Sequence, residues 1–536
     1  MAVLTDKVDS LFSEWDKPDS PGCAIAIIQG GEVIYSRGYG MADLDHAIPI
    51  STNSVFDIGS TSKQFTAMCV ALLARQGKFS LDDEIQTYLP EIRHYEHPTT
   101  IRHLIHHTSG LRDYLALMDL AGWRFENDYP DDELISLIAR QKELNFQPGE
   151  EFLYSNTGYL LLAEIIKRVS GLSLRAFADE AIFAPLGMKN THFHDDFSEI
   201  VKHRAVGYSP KDSGGYRIDM SLFDVVGDGG VYTTVEDLCL WDANFYHNVV
   251  GGCGQDLIEE IITPGRLNSG EALDYAFGLR VGPYRGLRMI AHSGRWMGYR
   301  AQMIRFPEQR FTVICLANLK SIDPTDLARQ IADIYLAEEF TEPEKTSPGE
   351  PPAAELSTSE MEDKLGFYRG VKSGVIWEFT MQDGKLIAEF GGMSFQIAPT
   401  EPGRYKSVGA LFDIRIELES HGPPNPIMMS IQIDGDKVDV LERVRSASLD
   451  IERLMDYSGD YYCAELDVTY RLRIENDELI LGRRNSPQEH LKPVSHDLFK
   501  GTRTSFEFAR NAQSQITGFD LGAGRVRNIR FIKQRQ

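Results

Sequence analysis

The rhythm of apolar and polar positions changes twice along this chain of 536 residues. The opening MAVLTDKVDSLFSEWDK places Val8, Leu11, Phe12 and Trp15 at helical spacing, which predicts an amphipathic helix. From Cys23 to Gly38 the run CAIAIIQGGEVIYSRG sets strand-forming residues on either side of Gly30-Gly31, the pattern of a β-hairpin. A second hairpin is predicted near residue 300, where AQMIRF and RFTVICLA flank Pro307-Glu308-Gln309. A helix should follow it, with Asp323 as cap, Pro324 at the first position, and Leu327, Ile331 and Ile334 on one face. Between these ends, QFTAMCVALLAR and GYLLLAEIIKRVSG repeat apolar residues at three and four, so helices and loops fill the middle. Terminal helices packed on an antiparallel sheet, with a helical insertion, is the architecture predicted for residues 1–340.

The stretch EEFTEPEKTSPGEPPAAE gathers four prolines with acidic and small residues and reads as an extended linker, placed at 341–356. Beyond it the helical pattern nearly vanishes. Short alternating runs such as VIWEFTM, KLIAEF, LFDIRIELE, VTYRLRI and ELILG are separated by turn residues. Phe367-Tyr368-Arg369-Gly370 with Gly384-Lys385-Leu386 recurs loosely as Asp456-Tyr457-Ser458-Gly459, Tyr470 and Glu478-Leu479. Two small antiparallel β-barrel domains, 357–446 and 447–536, would close their own edges; one larger sandwich is the alternative.

A formal net charge of -24 disfavours a nucleic-acid partner, whose phosphates are bound by clustered Lys and Arg. The six cysteines are scattered without paired short spacing and read as reduced core thiols. No run of about 18 apolar residues occurs, so no membrane partner and a cytoplasmic location are the expectation. The expected partner is a small molecule or short peptide, with a homodimer left open.

The strongest chemical signal is Phe56-Asp57-Ile58-Gly59-Ser60-Thr61-Ser62-Lys63, which runs straight into the helical pattern QFTAMCVALL. Residues three apart share a helix face, so Lys63 projects beside Ser60 and can accept or relay its proton. A helix start at Ser60 also favours negative charge near its backbone N–H. Further on, Tyr154-Ser155-Asn156 follows a turn and enters another helix; a phenol there can relay a proton and an amide can orient a substrate and fix Lys63. The third element is Ala291-His292-Ser293-Gly294-Arg295, leading into the hairpin near residue 300 on or beside an edge strand. His292 is expected to hydrogen-bond into the Ser–Tyr network. Gly294 lets the backbone approach an acyl group, and the Arg295 N–H would be a second oxyanion donor.

Ser-x-x-Lys, Tyr-x-Asn and His-x-Gly, in this order and spacing, resemble the penicillin-recognising serine β-lactamase-like hydrolases, a group with class C β-lactamases, D-Ala-D-Ala carboxypeptidases, D-aminopeptidases and related esterases. Gly38-Tyr39-Gly40 with Ala42-Asp43-Leu44, the run Ile105-His106-His107-Thr108-Ser109-Gly110-Leu111, Pro185-Leu186-Gly187-Met188 and Gly229-Gly230-Val231-Tyr232-Thr233-Thr234 extend the likeness over roughly residues 20–340. The resemblance implies an α/β (α+β) domain with an antiparallel sheet and a helical subdomain. It implies Ser60 as nucleophile, Lys63 and Tyr154 as base and relay, Asn156 in substrate positioning, and His292 in the third box.

Class C β-lactamases carry Lys-Thr-Gly where this chain has His292-Ser293-Gly294, so weak or no antibiotic hydrolysis is implied. Two barrels after the catalytic domain look like the three-domain D-aminopeptidase layout. There, a loop from the last barrel reaches the active site; Arg483–His490 would be its equivalent, with Glu489 a partner for a substrate amine. Arg280, in Tyr275-Ala276-Phe277-Gly278-Leu279-Arg280, resembles instead the carboxypeptidase branch, where an arginine clamps a terminal carboxylate. A D-aminopeptidase is therefore the leading expectation. A D-Ala-D-Ala carboxypeptidase, a short-acyl esterase and a non-catalytic binding protein on the same scaffold are the alternatives. His103, His106 and His107 coincide with the family-like run, and His192 and His194 beside Asp195 and Asp196 read as polar loop, so neither a metal nor a cofactor is expected.

Overall fold

Seven residues of the first predicted strand, CAIAIIQ, are apolar but for the last, and such a strand is stable only when both of its faces are covered. The structure, a computed structural model, describes residues 2–341 and 364–535, apart from 402, 409–413, 419–426, 434–435 and 447–448. Among these, Cys23–Gln29 lies inside a six-stranded antiparallel sheet in the order Arg280–Tyr284, Leu287–Trp296, Tyr299–Phe306, Phe311–Ala317, Cys23–Gln29, Glu32–Tyr39. Both predicted hairpins are present in it. On one face, Val8 and Phe12 of the helix Ala2–Phe12 and Leu327 and Ile331 of the helix Pro324–Tyr335 share a buried cluster with Ile25, Ile27, Val313 and Cys315. Asp323 caps the last helix by accepting from the N–H groups of Thr325 and Asp326. On the other face, Asp242 of the helix Val235–Asn244 is fixed by Arg305 at 2.6 Å and Thr312 at 2.9 Å, both from the sheet.

In the helix Lys63–Arg75, whose apolar residues recur at three and four, every residue from Lys63 to Leu73 is buried. It runs through the interior, where all-round apolarity is what a helix needs. His192–Phe193 departs from the polar loop expected there. It is a short strand in a three-stranded sheet ordered Phe56–Asp57, Val231–Thr233, His192–Phe193.

The chain divides into two compact units, and the second is not continuous in sequence. One unit takes Met1–Tyr114, Phe125–Ala139 and Phe146–Lys345; the other takes Leu115–Arg124, Arg140–Asn145 and Thr346–Gln536. The proposed linker lies outside the described residues from position 342 onward. The second unit contains two closed antiparallel barrels of eight strands each among the described residues, not one sandwich. Tyr368 pairs with Arg443 to close the first barrel, and Tyr461 with Lys533 to close the second. The short stretches Leu115–Arg124 and Arg140–Asn145 join this unit through Tyr470 Oη to Leu120 O at 2.7 Å, Lys142 N to Glu465 Oε2 at 2.7 Å and Asn145 Nδ2 to Arg525 O at 2.9 Å.

The internal repeat is real, with Tyr470 and Leu479 where the sequence placed them, but its opening tetrapeptide lies four residues from the one read in the sequence. Gly366 and Gly459, both at positive φ, open the first strand of each barrel. Tyr368 pairs with Trp377 as Tyr461 pairs with Tyr470, and Leu386 and Leu479 are buried at the same interval beyond. Tyr457 precedes the second barrel and does not match Tyr368. The expected excursion Arg483–His490 shortens to 483–488, because Glu489 and His490 already pair with Leu481 and Ile480. Glu489 is buried, and its carboxylate accepts from Thr502 N–H and lies against Gly501. That corrects its assignment as a substrate partner on a loop: it serves the barrel's own backbone.

Within the second unit the two barrels meet through charge as well as apolar contact. Ile376 of the first packs with Val494 and Leu498 of the second. Beside them Lys500 donates to Glu378 at 2.8 Å and Glu389 at 2.6 Å, and Lys492 reaches Glu378 at 3.1 Å. Burial pushes the Glu378 carboxyl up, but Lys500 and Lys492 together hold it below its ordinary range. Removing the buried ammonium leaves that carboxylate without its main partner. Lys500→Ala is expected to destabilise this unit by about 3–5 kcal/mol near neutral pH. Because the folded carboxyl is depressed, the stabilisation is present above its unfolded value and lost as pH falls through the folded one. Urea unfolding of the full chain at several pH values checks both; a variant as stable as the parent at neutral pH would refute the role.

Candidate active site

Two buried acceptors and one hydroxyl surround the ammonium of Lys63. The surrounding backbone is set by the strand Val231–Thr233, whose residue Val231 takes Ile58 N–H on its carbonyl and gives its own N–H to Ser62 Oγ, each at 3.0 Å. Asp57 accepts from Gly59 N–H at 2.7 Å, and Gly59 adopts φ +48, a left-handed conformation that suits glycine. The segment Gly59–Ser62 forms a tight turn that continues into Lys63–Arg75, so the nucleophile precedes the α-helix by a single turn and does not cap it.

Lys63 Nζ lies 3.1 Å from Ser60 Oγ and 2.9 Å from Asn156 Oδ1, and it also donates to the Asp228 carbonyl. The amide of Asn156 is oriented by Asp113, whose Oδ2 accepts from Asn156 N at 2.7 Å and Nδ2 at 2.9 Å. Since the Nδ2 end is held there, Oδ1 must face Lys63. Beneath, the rings of Tyr154 and Tyr159 lie 4.9 and 5.5 Å from Nζ. Tyr154 packs against His107, ring to ring at 4.2 Å.

The third box comes to the same place by direct backbone contact. A Cβ on Gly294 would stand 1.7 Å from Ile58 O, and one on Gly59 would stand 2.7 Å from Arg295 N. The Arg295 amide is therefore beside the Ser60 turn, where a second oxyanion donor was expected. The strand Leu287–Trp296 is not an edge strand along its whole length. The strand Arg280–Tyr284 pairs with it only as far as Ala291, which leaves its second half to face the nucleophile turn.

His292 differs from its expected part. Its Nδ1 lies 2.7 Å from Ser293 O and its Nε2 3.0 Å from Tyr275 Oη, so both ring nitrogens are engaged outside the Ser–Tyr pair. A carbonyl only accepts, which puts the proton on Nδ1 and makes Tyr275 the donor to Nε2. Burial, helped by the charge on Lys63, pulls the imidazole down to about 3 and keeps it neutral. The residue is a bonded wall of the site, with its ring 6.2 Å from that of Tyr154. Arg280 is also engaged: it forms an ion pair with Asp274 and lies 5.8 Å over the Phe152 ring.

Four residues that the motifs did not reveal complete the surroundings: Asp113, Tyr114, Asp228 and Tyr275. Tyr114 Oη donates to both carboxylate oxygens of Asp228 at 3.2 Å. Burial lifts Asp228 to about 6, opposed by Lys63 and reinforced by Asp113. Burial lifts Asp57 to about 7, opposed by the Gly59 N–H and reinforced by Asp228. Asp228 and Tyr275 each sit within or beside a run that the sequence had already singled out, and Asp113 and Tyr114 directly follow one.

A relative matches the chain over nearly its whole length. The D-aminopeptidase of Brucella anthropi is 25% identical over 532 residues, covering 95% of each chain. Penicillin-binding protein 4* of Bacillus subtilis is 30% identical over 421 residues, which is 74% of this chain and 90% of that protein. The octameric penicillin-binding protein homologue from Pyrococcus abyssi superposes with a TM-score of 0.58 at 25% identity, over 82% of this chain and 99% of that one. The D-amino acid amidase from Ochrobactrum anthropi SV3 shares the fold over 63% of this chain and 99% of that one, with a TM-score of 0.52 at 22% identity. The Beta-lactamase family model matches residues 8–336, more than half of the sequence, so this chain belongs to that family and has the fold of the serine β-lactamase-like hydrolases.

Proposed function

We propose that the chain is a D-aminopeptidase, releasing N-terminal D-amino acids from small peptides or amides through an acyl-enzyme on Ser60. The observation that carries the chemistry is the environment of Lys63. Asn156 Oδ1 and the Asp228 carbonyl can only accept, so each requires one hydrogen of the lysine nitrogen. The remaining tetrahedral position faces Ser60 Oγ and holds a hydrogen in the ammonium or a lone pair in the amine. A nitrogen held this way can take the Ser60 proton and return it without moving.

In the proposed sequence, Ser60 Oγ attacks the substrate carbonyl as its proton passes to Lys63. The oxyanion is bound by the N–H groups of Ser60 and Arg295. The leaving amine takes its proton through Tyr154, and water then attacks the ester and releases the acid. His292 stays neutral and supports the third box through Tyr275. The aminopeptidase reading rests on the D-aminopeptidase relative, which spans both barrels as well as the catalytic part. The engagement of Arg280 by Asp274 weighs against a free carboxylate clamp. The ordered Ser60–Lys63–Asn156 contacts weigh against a scaffold that only binds.

Hydrolysis of D-alanine p-nitroanilide, its L-isomer, a D-Ala-D-Ala-terminated peptide, nitrocefin and p-nitrophenyl acetate tests the reading. The D-anilide should be preferred and nitrocefin turned over slowly or not at all; turnover of the D-Ala-D-Ala peptide or the ester alone would refute the aminopeptidase. Ser60→Ala should abolish covalent labelling by a fluorophosphonate, and persistent labelling would remove Ser60 from its role. Gly294→Ala must displace either the strand or the turn, and a fall in kcat/KM of about 100-fold or more is expected.

A further inference from the structure

Two imidazoles and a carboxylate converge at the outer strand of the small three-stranded sheet and the turn that follows it. His192–Phe193 pairs with Val231–Thr233, and His194 N–H continues the pairing to Gly230 O at 2.8 Å. Residues two apart on a strand point to the same side. His192 Nε2 and His194 Nδ1 accordingly face each other at 3.3 Å. Glu199 brings Oε2 to 3.9 Å from His194 Nδ1, and one ligand atom from each of the three residues falls within 4.8 Å of the others.

Two nitrogens bound tetrahedrally to zinc at about 2.0–2.1 Å stand about 3.3–3.4 Å apart, the spacing that the histidine pair already has. The carboxylate has to close in from 3.9 Å to His194, and from within 4.8 Å of His192, which takes a side-chain shift of up to about 1.4 Å to complete a third ligand. The rings are backed by Tyr232, with centroids at 4.4 Å from His194 and 6.0 Å from His192. Burial lowers both imidazoles, His194 to about 4, so each keeps a lone pair at neutral pH. We propose that His192, His194 and Glu199 form a binding site for Zn2+, with a fourth position left to water.

Arg175 fits this site as an outer partner. It donates to Glu199 Oε2 at 2.6 Å and Oε1 at 2.9 Å, and to Asp195 at 3.0 Å. A carboxylate oxygen has a second lone pair, so Oε2 can accept from the guanidinium and still face an ion. The charged groups acting on the pair are Asp195, Asp196 and Glu199 against Arg175 and Arg204, an excess of one negative charge. A small excess predicts modest affinity. The ion would pin the outer strand of a sheet whose far strand, Phe56–Asp57, runs into the nucleophile turn.

The test uses full-length protein treated with EDTA, desalted, and titrated with ZnCl2 against a chromophoric chelator. One Zn2+ per chain with a dissociation constant of about 1 µM is expected, together with a higher melting temperature. His192→Ala, His194→Ala and Glu199→Gln should each weaken binding about tenfold or more and remove the thermal shift. Glu199→Gln preserves shape and serves if a histidine variant does not fold, as judged by far-UV circular dichroism and a cooperative melt without zinc. His490→Ala, which breaks an exposed pair with Glu478, should bind as the parent does. Absence of saturable binding, binding undiminished in the folded variants, or binding lost in His490→Ala would each overturn the site.

Discussion

The site depends on one backbone contact, the approach of the Gly294 strand to the turn that carries Ser60. With only 1.7 Å between an added Cβ and Ile58 O, no side chain fits at 294, and the reciprocal position, Gly59, faces the Arg295 amide at 2.7 Å. Glycine on both sides lets two chain segments meet main chain to main chain. Thr61 Oγ1 to His292 O at 3.3 Å crosses the same junction. The strand cannot yield, because Tyr299–Phe306 pairs with it from Ile290 to Trp296 and the next strand, Phe311–Ala317, is wholly buried. The turn cannot yield either, since Val231 and Asp57 hold its backbone groups. Oxyanion donors are effective only when fixed before the reaction, and this junction fixes them.

The same packing removes Lys63 from water, and a buried cation must be compensated. Its compensation comes from oriented acceptors backed by charge. Asp113 is two bonds removed from the ammonium, yet it decides which end of the Asn156 amide Lys63 meets. Tyr114 and the Asp228 carboxylate lie behind the carbonyl that takes another hydrogen. Gly278 sets its backbone against that of Lys63, where a Cβ would stand 2.5 Å from Gln64 N, and so brings Tyr275 to His292. Each polar group is tied to a different segment of the chain, so the network is complete only when the helical subdomain and the sheet have both formed.

This division explains what the sequence revealed. Ser60 and Lys63 lie one helical turn apart, and Tyr154 and Asn156 lie two residues apart, so each pair is written locally. Asp113, Asp228 and Tyr275 act through contacts between distant segments, and a lone aspartate after His106–Leu111 carries no spacing that marks it. His292 was recognised by position, but its hydrogen bonds were not legible, because the partner, Tyr275, was overlooked beside the more conspicuous Arg280. The sheet and both terminal helices followed from period and turn chemistry. The helix after Ser60 was legible as a helix, but its complete burial was not, because a periodic apolar stripe looks the same whether the remaining positions meet solvent or protein. The start of the repeat was matched on similar tetrapeptides and missed, whereas the barrels repeat on strand register: a positive-φ glycine, an aromatic two residues later, and its aromatic cross-strand partner.

The third box bears on substrate choice through what it lacks. A lysine at position 292 would add a second cation next to Lys63 and draw a substrate carboxylate toward the nucleophile. The imidazole present is neutral, held so by burial and by the nearby ammonium, and both of its nitrogens are bonded. Arg280 has Asp274 as its counter-ion in an exposed pair, worth about 0–1 kcal/mol, so a substrate carboxylate would compete with Asp274 for it. A substrate with a free C-terminus therefore gains no charge from position 292 and only a shared one from Arg280, whereas an amide or ester with no carboxylate near the scissile bond loses nothing by their engagement. On these electrostatic grounds the proposed activity on N-terminal residues suits the site better than removal of a C-terminal one, and it does so without any contribution from the barrels.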